Sequence, residues 1–216
     1  GFGKVKVTDA EGNYSLSYFH QDEYNKGRPY KQEAYDSSGL IQSKSESTWV
    51  AQDDVYAGYP DIKFIYLSES DSYTYSNGAV AKRTKSGRIY GQSVQYGDPT
   101  QLIEYGEVDV DTGSDIASDK RTTFIEYTYN ATDWILSLPA RIYSEDINAN
   151  QISEKKFYYD GNLGIFEVPA QGLLTKEEAW LYNPVSGIEQ QLSGTYTYDN
   201  FGNLLSATDA NGRVTT

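Results

Sequence analysis

Residues 194–216 read GTYTYDNFGNLLSATDANGRVTT, and this stretch decides the fold. Thr195-Tyr196-Thr197-Tyr198 alternates, so both tyrosines share one face of a strand and both threonines the other. Asp199-Asn200-Phe201-Gly202-Asn203 then turns the chain. Asp at the first turn position accepts hydrogen bonds from backbone N–H groups ahead of it, and Gly202 can take a positive φ. Leu204 to Thr208 is the return strand. Asp209-Ala210-Asn211-Gly212 repeats the turn, and Arg213 to Thr216 begins a third strand.

The same unit recurs through the chain. Thr8-Asp9-Ala10-Glu11-Gly12 mirrors Thr208-Asp209-Ala210-Asn211-Gly212, with Lys4 to Val7 before it and Tyr14 to His20 as its return strand. Tyr35-Asp36-Ser37-Ser38-Gly39-Leu40 is another copy, and Ser43 to Trp49 alternates onward. Residues 51–72 are less regular, with Ile62 to Leu67 as a buried strand. Tyr73-Thr74-Tyr75-Ser76-Asn77-Gly78 is a degenerate copy in which Asn-Gly tightens the turn. Ser93 to Thr100 is an eroded copy, with Gln101 to Tyr105 as its strand. Thr122 to Tyr129 alternates and Asn130 to Asp133 turns it. Trp134 to Pro139 reads as an apolar strand ending at the proline. Glu145 to Gln151 is a polar turn, and Tyr159-Asp160-Gly161-Asn162 is a shortened copy.

One segment offers a helical rival. Thr175 with Glu178 mimics a capping box. Strand is preferred, because few residues separate Gly172 from the Asn183-Pro184 turn and alternation continues through Trp180 and Tyr182. The expectation is an all-β chain of antiparallel hairpins. Each repeat is too small to close its own core, so neighbours bury one another.

Composition narrows the function. The net charge of −13 argues against a nucleic-acid backbone or an anionic membrane as partner, since both need a basic patch. Tyrosine is heavily over-used, with 21 copies in 216 residues, so it must supply much of whatever packing there is. Cysteine is absent, so stability comes from burial and sheet pairing rather than disulfides. No apolar run reaches membrane-spanning length. The chain starts Gly-Phe-Gly and stops within a strand pattern, which reads as one repeat region, 1–216, cut from a longer polypeptide.

Tyr198-Asp199-Asn200-Phe201-Gly202-Asn203-Leu204 followed by Thr208-Asp209-Ala210-Asn211-Gly212 resembles a YD repeat of the RHS family. The opening GFGKVKVTDAEGNYSLSYFHQ resembles the segment that begins the RHS-like region in B components of bacterial insecticidal toxin complexes and in SpvB-like proteins. The resemblance is strongest over 1–49 and 120–216. It implies hairpins wound into a spiralling sheet, the wall of a hollow shell around a cytotoxic C-terminal polypeptide. It also implies a secreted protein whose partners are neighbouring RHS repeats, the C component and the enclosed toxin. This chain matches wall repeats alone. The alternative is an extracellular module that binds a cell surface or carbohydrate.

The sequence assigns no catalytic, cofactor-binding or metal residue. His20 is the single histidine and lacks a nucleophile-elbow serine, so it reads as structural. Asp109, Asp111 and Asp115 imitate a calcium loop, but Gly113 stands where a ligand belongs and no bidentate Glu follows at the required distance. An acidic solvated loop is the expectation there. The turn aspartates Asp9, Asp36, Asp199 and Asp209 have structural work already. Trp49, Trp134 and Trp180 could form a sugar platform, though packing within a Tyr-rich sheet explains them as well. Asn13 and Asn130 sit in glycosylation-like triplets and read as turn residues.

Overall fold

The computed structural model describes residues 2–53, 61–91, 97–183 and 188–216. Every regular element among them is a β-strand. The chain divides into two compact units, Gly1–Arg121 and Thr122–Thr216. The first contains β1 (Lys4–Thr8), β2 (Tyr14–Phe19), β3 (Pro29–Tyr35), β4 (Ile41–Gln52), β5 (Phe64–Ser76), β6 (Ala79–Tyr90) and β7 (Pro99–Val108). The second is built from β8 (Arg121–Asn130), β9 (Ile135–Glu145), β10 (Gln151–Tyr159), β11 (Leu174–Asn183), β12 (Ile188–Tyr198), β13 (Leu204–Thr208) and β14 (Val214–Thr215). Within each unit every strand pairs antiparallel with its sequence neighbour.

The closing stretch folds as its sequence dictates. Thr195, Tyr196 and Thr197 of β12 face Thr208, Ala207 and Ser206 of β13. Gly202 and Gly212 take φ of 83° and 77°. Asn77 and Gly78 make the tight turn between β5 and β6 with φ of 50° and 80°. The Thr175–Trp180 segment lies inside β11 and is extended. Ser93 to Tyr96 of the eroded copy and the Pro184 turn fall outside the described residues, while Pro99 and Thr100 open β7.

Three details differ from the sequence reading. The apolar strand does not stop at Pro139. β9 continues to Glu145, because Pro139 sits opposite Tyr127 where the register shifts and the ladder asks less of its missing N–H. Trp134 belongs to the preceding turn, with φ of 56° and four-fifths of its surface exposed. The Ile62–Leu67 strand is the start of a longer one, β5, and Ile62 itself lies outside it, half exposed.

The larger difference concerns the core. Among the described residues the buried apolar side chains are few: Tyr73, Ile103, Val108, Ala140, Tyr159 and Pro169. Within each unit the hairpins lie side by side in a single sheet, so most side chains are only half covered. Stability must then come from cross-strand pairs on the sheet faces, each contributing about 0.2–1 kcal/mol.

Candidate functional site

The site of interest is the sheet surface and its rims. The rims are set by one device. Asp9, Asp36, Asp146, Asp199 and Asp209 each accept backbone N–H bonds at Oδ1 from residues two and four positions ahead, at 2.8–3.0 Å. Each also donates its own N–H to the carbonyl four residues on. Gly12, Gly39, Gly202 and Gly212 take the positive φ that the fourth position of the turn requires. In the Asp146 turn that position is Ala149, at φ 61°. Side-chain bonds from Asn13, Asn150 and Asn203 lead the causes that hold Asp9, Asp146 and Asp199 below the usual carboxylate range. The Ser38 hydroxyl does the same for Asp36. Adjacent turns are also tied to each other: Ser37 N–H donates to Asn13 Oδ1. Asn13 and Asn130 are thus both engaged in turns, the latter donating to Asp133 and to the carbonyl of Pro169.

The tyrosine before the aspartate has its own task, which sequence reasoning missed. Tyr198 donates its hydroxyl to the carbonyl of Leu174, and Tyr159 to that of Pro139. Each thereby pegs the neighbouring strand in register. Trp49 does the same with the Pro29 carbonyl. The only sequence signal was the recurrence of Tyr immediately before Asp.

One face of the first unit is a ladder of tyrosines and charges. Tyr14 stacks on Tyr35 at 4.8 Å. Lys4 and Lys31 lie over Tyr18, and Lys6 lies over Tyr14. Glu33 accepts from Tyr18 and Tyr35 and pairs with Lys31 at 3.0 Å. Burial works against the Glu33 carboxylate, yet Lys31 and Tyr18 hold it below its ordinary range. Further along, Lys44 and Arg83 lie over Tyr73, and Arg83 pairs with Asp71 at 2.8 Å. Burial, reinforced by Glu46, pushes the Tyr73 phenol up to about 12. The second unit repeats the scheme. Phe124 stacks on Tyr143, Arg141 covers Tyr143 and pairs with Glu126 and Glu154, and Tyr158 donates to Glu178 at 2.7 Å. A cation over an aromatic ring contributes about 0.5–1 kcal/mol at an exposed site, and here the contacts are strung together. The opposite face of the first unit carries small residues. Ser15, Ala34, Ser43 and Thr74 form one row, and Ser17, Gln32, Ser45 and Ser72 the next.

Asp160 departs from the common turn. Its Oδ2 accepts from the backbone N–H groups of Ala170, Gln171 and Gly172, and its Oδ1 from Leu173. Burial raises its pKa, but the four N–H groups outweigh that and hold the carboxyl low. The segment between β10 and β11 is thus drawn into a strap. Thr128 and Asn130 donate to its carbonyls at Glu167 and Pro169, and Pro169 is fully buried.

The remaining candidates are placed as follows. His20 Nδ1 lies 3.3 Å from Asp22, and its ring packs on Tyr30. Asp109 Oδ1 accepts from the N–H groups of Asp111 and Thr112 and from the Thr112 hydroxyl. Asp115 Oδ1 accepts from Ser118 instead, so the three loop carboxylates do not act together. Among the described residues, no group of three or more His, Cys, Asp or Glu side chains is disposed to hold a metal ion. Trp49 lies in the first unit and Trp134 and Trp180 in the second.

Residues 185–214 match the RHS Repeat family. No curated protein matches the sequence. Among solved structures, TcdB2-TccC3 superposes over 97% of this chain with a TM-score of 0.65 and 12% identity. TcdB2-TccC3-Cdc42 superposes over 99% with a TM-score of 0.57 and 10% identity. The chain spans 18% and 20% of those two chains, about a fifth of their length. An RHS repeat at residues 185–214 closes a run of antiparallel hairpins, and the fold of the chain is similar to that in TcdB2-TccC3.

Proposed function

We propose that this chain is a non-catalytic wall segment of an RHS shell that encloses a toxic C-terminal polypeptide in a secreted bacterial toxin complex. The observation that carries the reading is the single-layered sheet of each unit, with two usable faces and almost no core among the described residues, together with the fold of TcdB2-TccC3 over nearly the whole chain. A sheet of this kind separates two compartments rather than folding around a site. The charged Tyr ladder would make the wall stiff without a second layer. The proposed role needs no acid, base or nucleophile from this segment, and its mechanism is exclusion of protease and solvent from the contents.

The partners in this reading are neighbouring repeats of one continuous repeat region, the C component and the enclosed polypeptide. β1 is exposed along its whole length, as is β14, and both carry a backbone edge for further pairing. The test is protease challenge of the full-length protein with its C-terminal region. Protection of that region while the wall is intact is expected. Digestion as fast as that of the isolated region would overturn the proposal.

A further inference from the structure

The second unit carries a hollow of about 450 Å³ on the face opposite its charge ladder. That volume is within the range of small-molecule sites. Register places its lining on one side of the sheet. Lys155, Ala179 and Leu192 form one cross-strand row, Glu177 and Gly194 the next, and Tyr196, Ala207 and Thr215 a third. Ala179, Gly194 and Ala207 leave the floor bare, and Arg213 closes the hollow from the last turn. We propose that this hollow binds one carboxylate-bearing sugar unit of an acidic glycan, a function separate from the wall role.

The chemistry is read from the rim. Lys155 and Arg213 both line the hollow, and neither forms an ion pair with a described residue, in a chain of net charge −13. Asp209 also lines the hollow, but its Oδ1 is taken by the N–H groups of Asn211 and Arg213. Two cations outside any ion pair with a described residue invite an anion, and the Arg fork suits a carboxylate. Between them stands an acceptor. Glu177 takes the Tyr196 hydroxyl at Oε1, 2.8 Å away, leaving Oε2 for a ligand hydroxyl. A ligand that fits must therefore be acidic at one end and hydroxylated beside it. Its ring would rest its C–H face on Ala179, Leu192 and Ala207. A run of carboxylates, as in an acidic peptide, would set one of them against Glu177. A uronic or sialic acid has one carboxylate and several hydroxyls, which matches the two cations and the acceptor oxygens of Glu177 and Asp209.

The probe set is methyl glucuronide and sialyllactose against methyl glucoside and lactose, titrated calorimetrically into the full chain. At least one acidic sugar should bind about tenfold or more tightly than its neutral counterpart, and which one binds identifies the source. Arg213→Gln should weaken that binding about tenfold, and Lys155→Gln several-fold. Both side chains are exposed, so thermal melts should be unchanged and separate lost binding from lost folding. Lys82→Gln, in the first unit, should bind as the parent does. No saturable binding of either acidic sugar overturns the proposal. So does equal binding of the neutral sugars, full affinity in Arg213→Gln, or tighter binding of a hexaglutamate peptide. A failure of protease protection in the shell test leaves this test standing, and the reverse also holds.

Discussion

Asp199 and Asp160 each follow a tyrosine at the end of a strand, yet they build different structures. Asp199 binds N–H groups two and four residues ahead and closes a hairpin. Asp160 binds N–H groups ten to thirteen residues ahead and clasps a strap. The glycine decides between them. In the first, Gly202 stands three residues after the aspartate and turns the chain back onto its own carboxylate. In the second, Asp160 itself and Gly161 take φ of 57° and 77°, which sends the chain outward, and the carboxylate meets the returning strand instead. One residue type thus serves as a local cap or a long-range clasp according to where positive φ falls.

Removing each acceptor should break the comparison open. Asp160→Ala strands four backbone donors of a partly buried strap and should cost about 3 kcal/mol in urea unfolding. Asp199→Ala, at an exposed turn, should cost distinctly less. Equal losses would mean that the strap is not held by its clasp. Next in size is Gly202→Val. At φ 83° a β-branched residue is strained, and about 2 kcal/mol should be lost. A variant as stable as the parent would remove the backbone argument for the hairpin turn.

The tyrosine ladder should show itself in pH. The phenols of Tyr73, Tyr158 and Tyr159 are pushed up to about 12, chiefly by burial. A raised phenol stabilises the fold fully below the unfolded value of about 10, and that stability is lost as pH rises through about 12. The lowered aspartates act at the other end. Their contribution is present above the unfolded carboxylate value and is lost as pH falls through their depressed folded values. Tyr158→Phe removes the bond to Glu178 and should cost about 1 kcal/mol near neutral pH. It should also flatten part of the alkaline loss, and an unchanged alkaline limb would contradict the ladder account. The smallest effect has the opposite sign. Ala149→Gly relieves the positive φ that a residue other than glycine holds in the Asp146 turn, and should stabilise by about 0.5–1 kcal/mol.

The hairpins were legible because their determinants are local. Alternation, the Asp-x-x-Gly spacing and Asn-Gly at 77–78 each act within a few residues. The Asp146 turn escaped because Ala149 replaces its glycine, although Asp146 and Asn150 keep the spacing. The strap escaped because its acceptor and donors are ten or more residues apart, beyond any local pattern. The small size of the core among the described residues was hidden for a related reason. Many tyrosines suggest burial, whereas here a phenol rests its ring under a lysine or arginine and gives its hydroxyl to a glutamate on a neighbouring strand. Pro139 misled the reading of its strand because a register shift is set by pairing and not by the residue alone.

Electron cryomicroscopy of the full-length protein tests the wall reading most directly. The account predicts that residues 1–216 form part of a single-layered wall with polypeptide density on one side and solvent on the other. β1 and β14 should each be extended there by a further strand. A compact, two-layered body around these residues, or a wall with nothing enclosed when the C-terminal region is present, would contradict it.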